Sequence, residues 1–178
     1  IPQFVELIQR ESDDVLNPIL EEAMIQMQSD QIVNALAPFV TNPKNGMFIS
    51  VNTILKEAKS EQAEQILRDA YTRVVDVEMK EFLLDALICS YSKNIFPLIE
   101  EFLAQGELAR AFDMDELFYS YYKAMGEEHA LLETWRADIL EREESFEKDT
   151  NLNQMKFIIS KQIGKIGRND PCICGSGK

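Results

Sequence analysis

Two cysteines near the end of the chain, Cys172 and Cys174, are the residues whose type and spacing most clearly indicate chemistry. They lie in the string GRNDPCICGSGK of residues 167–178, where proline and glycine favour a tight turn. Such a turn can direct two thiolates at one point, as a zinc site with Zn–S distances of about 2.3 Å requires. The spacing therefore predicts metal binding, and the alternative is a flexible tail with two exposed thiols.

The same string resembles the SEC-C motif, a short zinc-binding module named for the C-terminus of the bacterial preprotein translocase motor SecA. Eleven of the twelve positions agree with the motif, and Ile173 replaces a proline. The resemblance implies that Cys172 and Cys174 are the first two zinc ligands, and that a Cys and then a Cys or His follow about eight residues further on. Residues 1–178 contain half of that set, so we expect this chain alone to bind no zinc tightly.

Three further patterns favour structural interpretations. The sequence GSGK at 175–178 lacks the first glycine of a phosphate-binding loop, because position 172 is a cysteine. His129 is the single histidine and has no second ligand at the spacing of a metal site, so a solvated or helix-surface histidine is expected. Cys89 follows apolar helix residues and is expected to be a buried structural thiol.

Two side-chain clusters also have a structural interpretation. Glutamates between residues 141 and 147 are expected to form a solvated helix face, with docking of a basic partner as the alternative. An aromatic cluster is expected to pack in the core with Tyr119 or Tyr122 exposed; its members are Phe112, Phe118, Tyr119, Tyr121 and Tyr122. No catalytic constellation is visible, and an enzyme with a site hidden between helices is the third and least favoured hypothesis.

The elements that must position these residues are helices. Ser29, Ser60 and Asp76 each precede an apolar stripe of helical spacing and are predicted N-caps. Gly106 and Gly126 are predicted helix stops. An acidic capping box is predicted at residues 113–116, and one long helix at residues 127–146.

The helices recur as pairs about every 30 to 40 residues, as in stacked repeats whose members cannot bury their own apolar faces alone. We therefore predict an all-α fold of stacked antiparallel helix pairs, a HEAT-like helical repeat, with an irregular bundle as the alternative. The predicted organisation is a helical-repeat domain at 1–148, a linking helix at 149–165 and a partial SEC-C zinc motif at 166–178.

Charge divides the chain into two unequal parts. The net charge is −13, and residues 156–178 carry +4, which leaves −17 on residues 1–155. Phosphates would be repelled by the acidic part, so nucleic-acid binding is expected to be weak or absent. No stretch approaches the roughly 18 apolar residues of a membrane span. Three cysteines, two of them too close to pair with each other, favour a reduced, cytoplasmic setting.

The sequence thus favours a non-enzymatic protein-interaction or adaptor protein that uses a helical-repeat surface and a zinc-binding tail. The motif resemblance implies a bacterial protein whose partner is a protein such as a chaperone or a ribosome component. The alternative is a ribosome-associated or nucleic-acid-associated protein that acts through the basic tail, with weak and strongly salt-dependent affinity.

Overall fold

The computed structural model describes residues 3, 6, 16–41, 47–106, 109 and 111–146. The chain divides into two compact units, Ile1–Ala130 and Leu131–Lys178. The described residues form helices and turns and contain no strand, so the predicted all-α fold is confirmed for them. The linking helix predicted at 149–165 and the motif at 166–178 lie outside the described residues.

The helices of the first unit are, in chain order, α1 (Leu16–Met27), α2 (Asp30–Leu36), α3 (Met47–Ala58), α4 (Glu61–Arg73), α5 (Val77–Ile88), α6 (Phe96–Gln105) and α7 (Met114–Met125). Short 3-10 helices at Ala37–Phe39 and Lys93–Ile95 follow α2 and precede α6. The second unit is helical over residues 132–146. The predicted long helix starting at Glu127 is wrong at its beginning, because Gly126 is left-handed (φ 68°) and residues 127–131 are not helical.

The same type of turn joins the two helices of each of the first three pairs, α1–α2, α3–α4 and α5–α6. The odd-numbered helix is followed by a residue in the left-handed conformation, and a serine then caps the next helical segment. The left-handed residues are Gln28 (φ 40°), Lys59 (φ 46°) and Tyr91 (φ 51°), and the capping serines are Ser29, Ser60 and Ser92. A repeated backbone geometry at roughly 30-residue spacing shows that the pairs are structural repeats.

The pairs stack on one another. In the row of odd-numbered helices, α1 packs against α3, α3 against α5 and α5 against α7, while α2 packs against α4. Polar contacts cross from one pair to the next, as between Lys56 Nζ and Asp85 Oδ2 (2.8 Å) and between the Tyr71 hydroxyl and the Leu98 carbonyl (3.2 Å). The prediction of helix pairs packed against each other is therefore confirmed.

The aromatic side chains of α7 belong to the core. Phe118, Tyr121 and Tyr122 are all buried, so the predicted exposure of Tyr122 is wrong, and Tyr119 is half-buried. The Tyr122 ring packs on Phe96 at 4.9 Å between centroids. Large apolar groups of this kind each contribute roughly 1.5–3 kcal/mol on burial. The acidic capping box is also wrong, because the Asp113 side chain makes no cap hydrogen bond to the first turn of α7.

Candidate functional site

The predicted zinc ligands, Cys172 and Cys174, lie outside the described residues, and their role as ligands stays a prediction. Within the described ranges no group of three or more His, Cys, Asp or Glu side chains is arranged to hold a metal ion.

A cleft of about 300 Å³ opens between α3 and α5. Side chains of both helices and one residue before α7 line it: Ile49, Asn52, Thr53, Lys56, Glu57, Phe82, Asp85, Ala86 and Phe112. Its volume is at the lower end of the range for small-ligand pockets, which is about 300–1,000 Å³. This cleft was missed at the sequence level, apart from Phe112, because its residues come from three separate segments.

Asn52 is the most informative polar residue of the cleft. It occupies a core position of α3, with 4% of its surface exposed. Its Nδ2 donates to the backbone carbonyls of Phe48 (2.8 Å) and Val40 (3.3 Å), which fixes the orientation of the amide. No described residue donates to its buried Oδ1. An acceptor left in this state costs about 1–3 kcal/mol of stability, and the atom has almost no accessible surface, so a ligand would reach it only after neighbouring side chains move.

An ion pair crosses the cleft from α3 to α5. Lys56 Nζ lies 2.8 Å from Asp85 Oδ2, and both side chains are mostly buried. Burial alone would lower the pKa of Lys56, but the hydrogen bond and the charge of Asp85 outweigh it, so the pKa is raised and the ammonium stays charged. Cys89 follows α5 as its C-cap and is half-buried, whereas a buried thiol was predicted. Burial raises the pKa of the Cys89 thiol, which disfavours the reactive thiolate.

The aromatic wall of the cleft is a chain of edge-to-face rings. Phe82 of α5 packs against Phe48 (5.3 Å between centroids) and against Phe112 (4.7 Å). Phe112 is held in place by its neighbours in sequence: Glu81, fully buried in α5, accepts hydrogen bonds from the backbone N–H groups of Ala109 and Ala111 (both 2.8 Å). A buried carboxylate thus positions the wall of the cleft.

A second polar cluster lies between α6 and the segment after α7. The Tyr122 hydroxyl donates to Glu100 Oε1 (2.7 Å), and His129 Nε2 lies 3.2 Å from the same oxygen. The prediction of a solvated or helix-surface His129 is wrong, because only 14% of its side chain is exposed and residues 127–131 are not helical. These contacts connect α6 to α7 and to the segment that follows α7, so the cluster is best explained as a structural contact that stabilises the packing of these elements.

The properties of the cleft lining favour the binding of a ligand. Asp85 is paired with Lys56 (2.8 Å), and the carboxylate of Glu57 lies 4.0 Å from Lys59, so each acid of the lining has a cationic neighbour. Beside these charged groups lies the aromatic wall formed by Phe82 and Phe112. Those properties are typical of a binding pocket.

Comparison with protein families matches residues 168–178 to the SEC-C motif. The match contains both Cys172 and Cys174 and confirms the resemblance drawn from the sequence. It covers the end of the chain, so it carries no information on the helices before it. Comparison with curated proteins and with solved structures gives no match. No helix in the described part of the chain is long and apolar enough to cross a membrane.

Proposed function

We propose that this protein is a bacterial, cytoplasmic adaptor that binds other proteins through its helical repeats and through a zinc-binding SEC-C tail. The observation that carries this proposal is the SEC-C match at residues 168–178 on a chain whose first unit is built from stacked helix pairs. Stacked repeats of this kind present extended surfaces, and such surfaces are widely used to bind proteins.

In this proposal, Cys172 and Cys174 are zinc ligands. Both would bind as thiolates, and the glycines of the motif leave backbone N–H groups available to the sulfur atoms. Two thiolates are half of a tetrahedral set, so residues 1–178 alone are expected to hold zinc weakly, with water or another chain in the remaining positions. The zinc would organise the tail as a contact surface rather than take part in a reaction.

Charge indicates what kind of partner the two parts would accept. Residues 1–155 carry −17 and residues 156–178 carry +4. The acidic part favours a basic protein surface, whereas the tail favours an acidic one. Family resemblance supports a chaperone or a ribosome component as the partner of the tail.

The experiment is an affinity capture from bacterial lysate with three chains: wild type, a Cys172→Ser/Cys174→Ser double variant, and a Cys89→Ser control. Partners that bind the wild type and the control but not the double variant, and that a zinc chelator releases, would support a zinc-dependent tail contact. A zinc titration of the three purified chains checks the metal directly. If the double variant takes up as much zinc as the wild type, Cys172 and Cys174 are not the ligands.

A second candidate function is association with ribosomes or nucleic acid through the tail. The observation in its favour is the clustering of Lys156, Lys161, Lys165, Arg168 and Lys178 in an otherwise acidic chain. Because such binding releases counterions, its affinity should fall steeply between low and physiological salt. A complex that is insensitive to salt would exclude this candidate.

A further inference from the structure

We propose that the cleft between α3 and α5 binds an arginine side chain of a protein partner. The proposal deepens the adaptor function and rests on it, since it names the chemistry that one surface of the helical repeats would recognise. Its evidence is separate from that for the tail, because every residue involved lies between Ile49 and Phe112.

The polar groups that line the cleft favour a ligand that donates hydrogen bonds. Asn52 Oδ1 is a buried acceptor to which no described residue donates. Glu57 adds a carboxylate with 43% of its side chain exposed, and Thr53 adds a hydroxyl. The ammonium of Lys56, which is the cation of the cleft lining, is already bound to Asp85 at 2.8 Å. A ligand with several N–H groups can therefore donate directly to Glu57 and Thr53, and it reaches Asn52 Oδ1 only after the side chains that cover this atom move.

The apolar part of the cleft favours a flat cation. Phe82 and Phe112 form an edge-to-face pair at one side, and Ile49 lies at the mouth with 53% of its surface exposed. A guanidinium is planar, stacks on aromatic rings and is more weakly hydrated than an ammonium, so it loses less than lysine on entering such a site. Its aliphatic stem can pack against Ile49.

Charge complementarity selects arginine over a neutral aromatic ligand. The ionisable side chains of the lining are Lys56, Glu57 and Asp85, two acids against one base, and Lys59 beside Glu57 (4.0 Å) is 65% exposed, so solvent screens most of its charge. The surrounding chain is strongly acidic, with −17 on residues 1–155. This field raises the local concentration of cationic partners and increases their association rate.

The test is an NMR titration of the 178-residue chain with three capped tripeptides, acetyl-Gly-Arg-Gly-amide, acetyl-Gly-Lys-Gly-amide and acetyl-Gly-Trp-Gly-amide. The arginine peptide should give saturable shifts at the Asn52 side-chain amide and at the backbone of residues 49–57, with a Kd in the millimolar range expected for one side chain. The lysine and tryptophan peptides should bind more weakly. Equal or tighter binding of either one, or no shift at about 20 mM arginine peptide, would overturn the proposal.

Variants at exposed positions test the site without disturbing the core. Glu57→Lys should weaken the arginine peptide at least about threefold, since it reverses a charge at the mouth. Ile49→Lys should do the same, whereas Ile19→Lys should have no effect; Ile19 is 61% exposed on α1 and does not line the cleft. Equal losses in Ile49→Lys and Ile19→Lys would indicate nonspecific charge attraction and contradict the proposal. The intact cysteines are present throughout, so failure here is distinguishable from failure of the zinc-dependent tail contact.

Discussion

Glu81 of α5 binds the backbone N–H of Ala111 through one carboxylate oxygen and that of Ala109 through the other, both at 2.8 Å. Its side chain is fully buried. The carboxylate therefore supplies acceptors for two backbone N–H groups just before Phe112, which lines the cleft.

Glu81→Gln should destabilise the first unit. The amide offers one acceptor oxygen where the carboxylate offers two, so one backbone N–H loses its partner, and the unfolding free energy should fall by about 2–3 kcal/mol. Denaturant unfolding measures this loss. Trypsin cleavage after Arg110 should also accelerate, since the N–H of that peptide bond is the one held by Glu81. Glu78→Gln, at an exposed position in the first turn of the same helix, is the control; it loses a favourable charge at the helix N-terminus, so it should cost about 0.3–1 kcal/mol and leave the cleavage rate unchanged.

Lys59→Gly should stabilise the protein. Lys59 is exposed and left-handed (φ 46°), a conformation that costs a non-glycine residue about 1–2 kcal/mol, whereas glycine adopts it freely. The greater flexibility of glycine in the unfolded chain offsets part of this gain, so an increase of about 0.5 kcal/mol is expected. Gln65→Gly in the middle of α4 should instead cost about 1 kcal/mol. A loss of similar size at both positions would show that the turn at Lys59 carries no strain.

Alkaline pH should unfold the protein through its buried tyrosines. Burial, with a smaller effect from the charge of Glu64, raises the pKa of Tyr121 from 10.0 to about 12. Burial also raises the pKa of Tyr122, assisted by its hydrogen bond to Glu100. Because the folded state holds these protons more tightly, their contribution to stability is complete below pH 10 and is lost as the pH rises towards 12.

Tyr121→Phe tests this directly. Above pH 10 the unfolding free energy of the variant should fall less steeply than that of the wild type, by up to about 1.4 kcal/mol per pH unit for one proton. At neutral pH the variant should lose about 1 kcal/mol, since the hydroxyl no longer donates to the Ser92 carbonyl. Identical alkaline slopes in the two proteins would contradict the assignment.

The thiol of Cys89 should react slowly in the folded protein. It is half-buried, and burial raises its pKa, so both access and the thiolate fraction are reduced. In the Cys172→Ser/Cys174→Ser variant, which isolates Cys89, a thiol reagent at neutral pH should react at least about tenfold faster in denaturant than in buffer. Comparable rates under the two conditions would place Cys89 at an open surface.

The helix ends that were predicted correctly depend on short sequence patterns, such as caps and glycine stops. Ser60 and Asp76 cap their helices as predicted, with hydrogen bonds to Ala63 N (3.1 Å) and Met79 N (2.9 Å), and Gly106 ends α6 in the left-handed conformation. A cap depends on a few neighbouring residues, which a sequence displays directly. The helix expected from Glu127 failed at its beginning, where residues 127–131 are not helical and His129 lies 3.2 Å from Glu100, a contact between residues distant in sequence.

The cleft could not be read in the same way. In the sequence, Asn52 is a polar residue within an apolar helical stripe. The structure is needed to show that its Nδ2 donates to the carbonyls of Val40 and Phe48 and that its Oδ1 accepts no hydrogen bond from the described residues. Lys56 and Asp85 are separated by 29 residues and meet because α3 packs on α5. Such a pairing depends on the stacking of whole repeats.

The helical pattern, its period of roughly 30 to 40 residues, the uneven distribution of charge and the Cys-x-Cys motif were all evident before folding was considered, because each depends on residue types at short spacing. Tertiary structure decided which polar residues are buried. No sequence pattern singled out Glu81, which is fully buried because the backbone N–H groups of Ala109 and Ala111 supply the partners that make its burial tolerable.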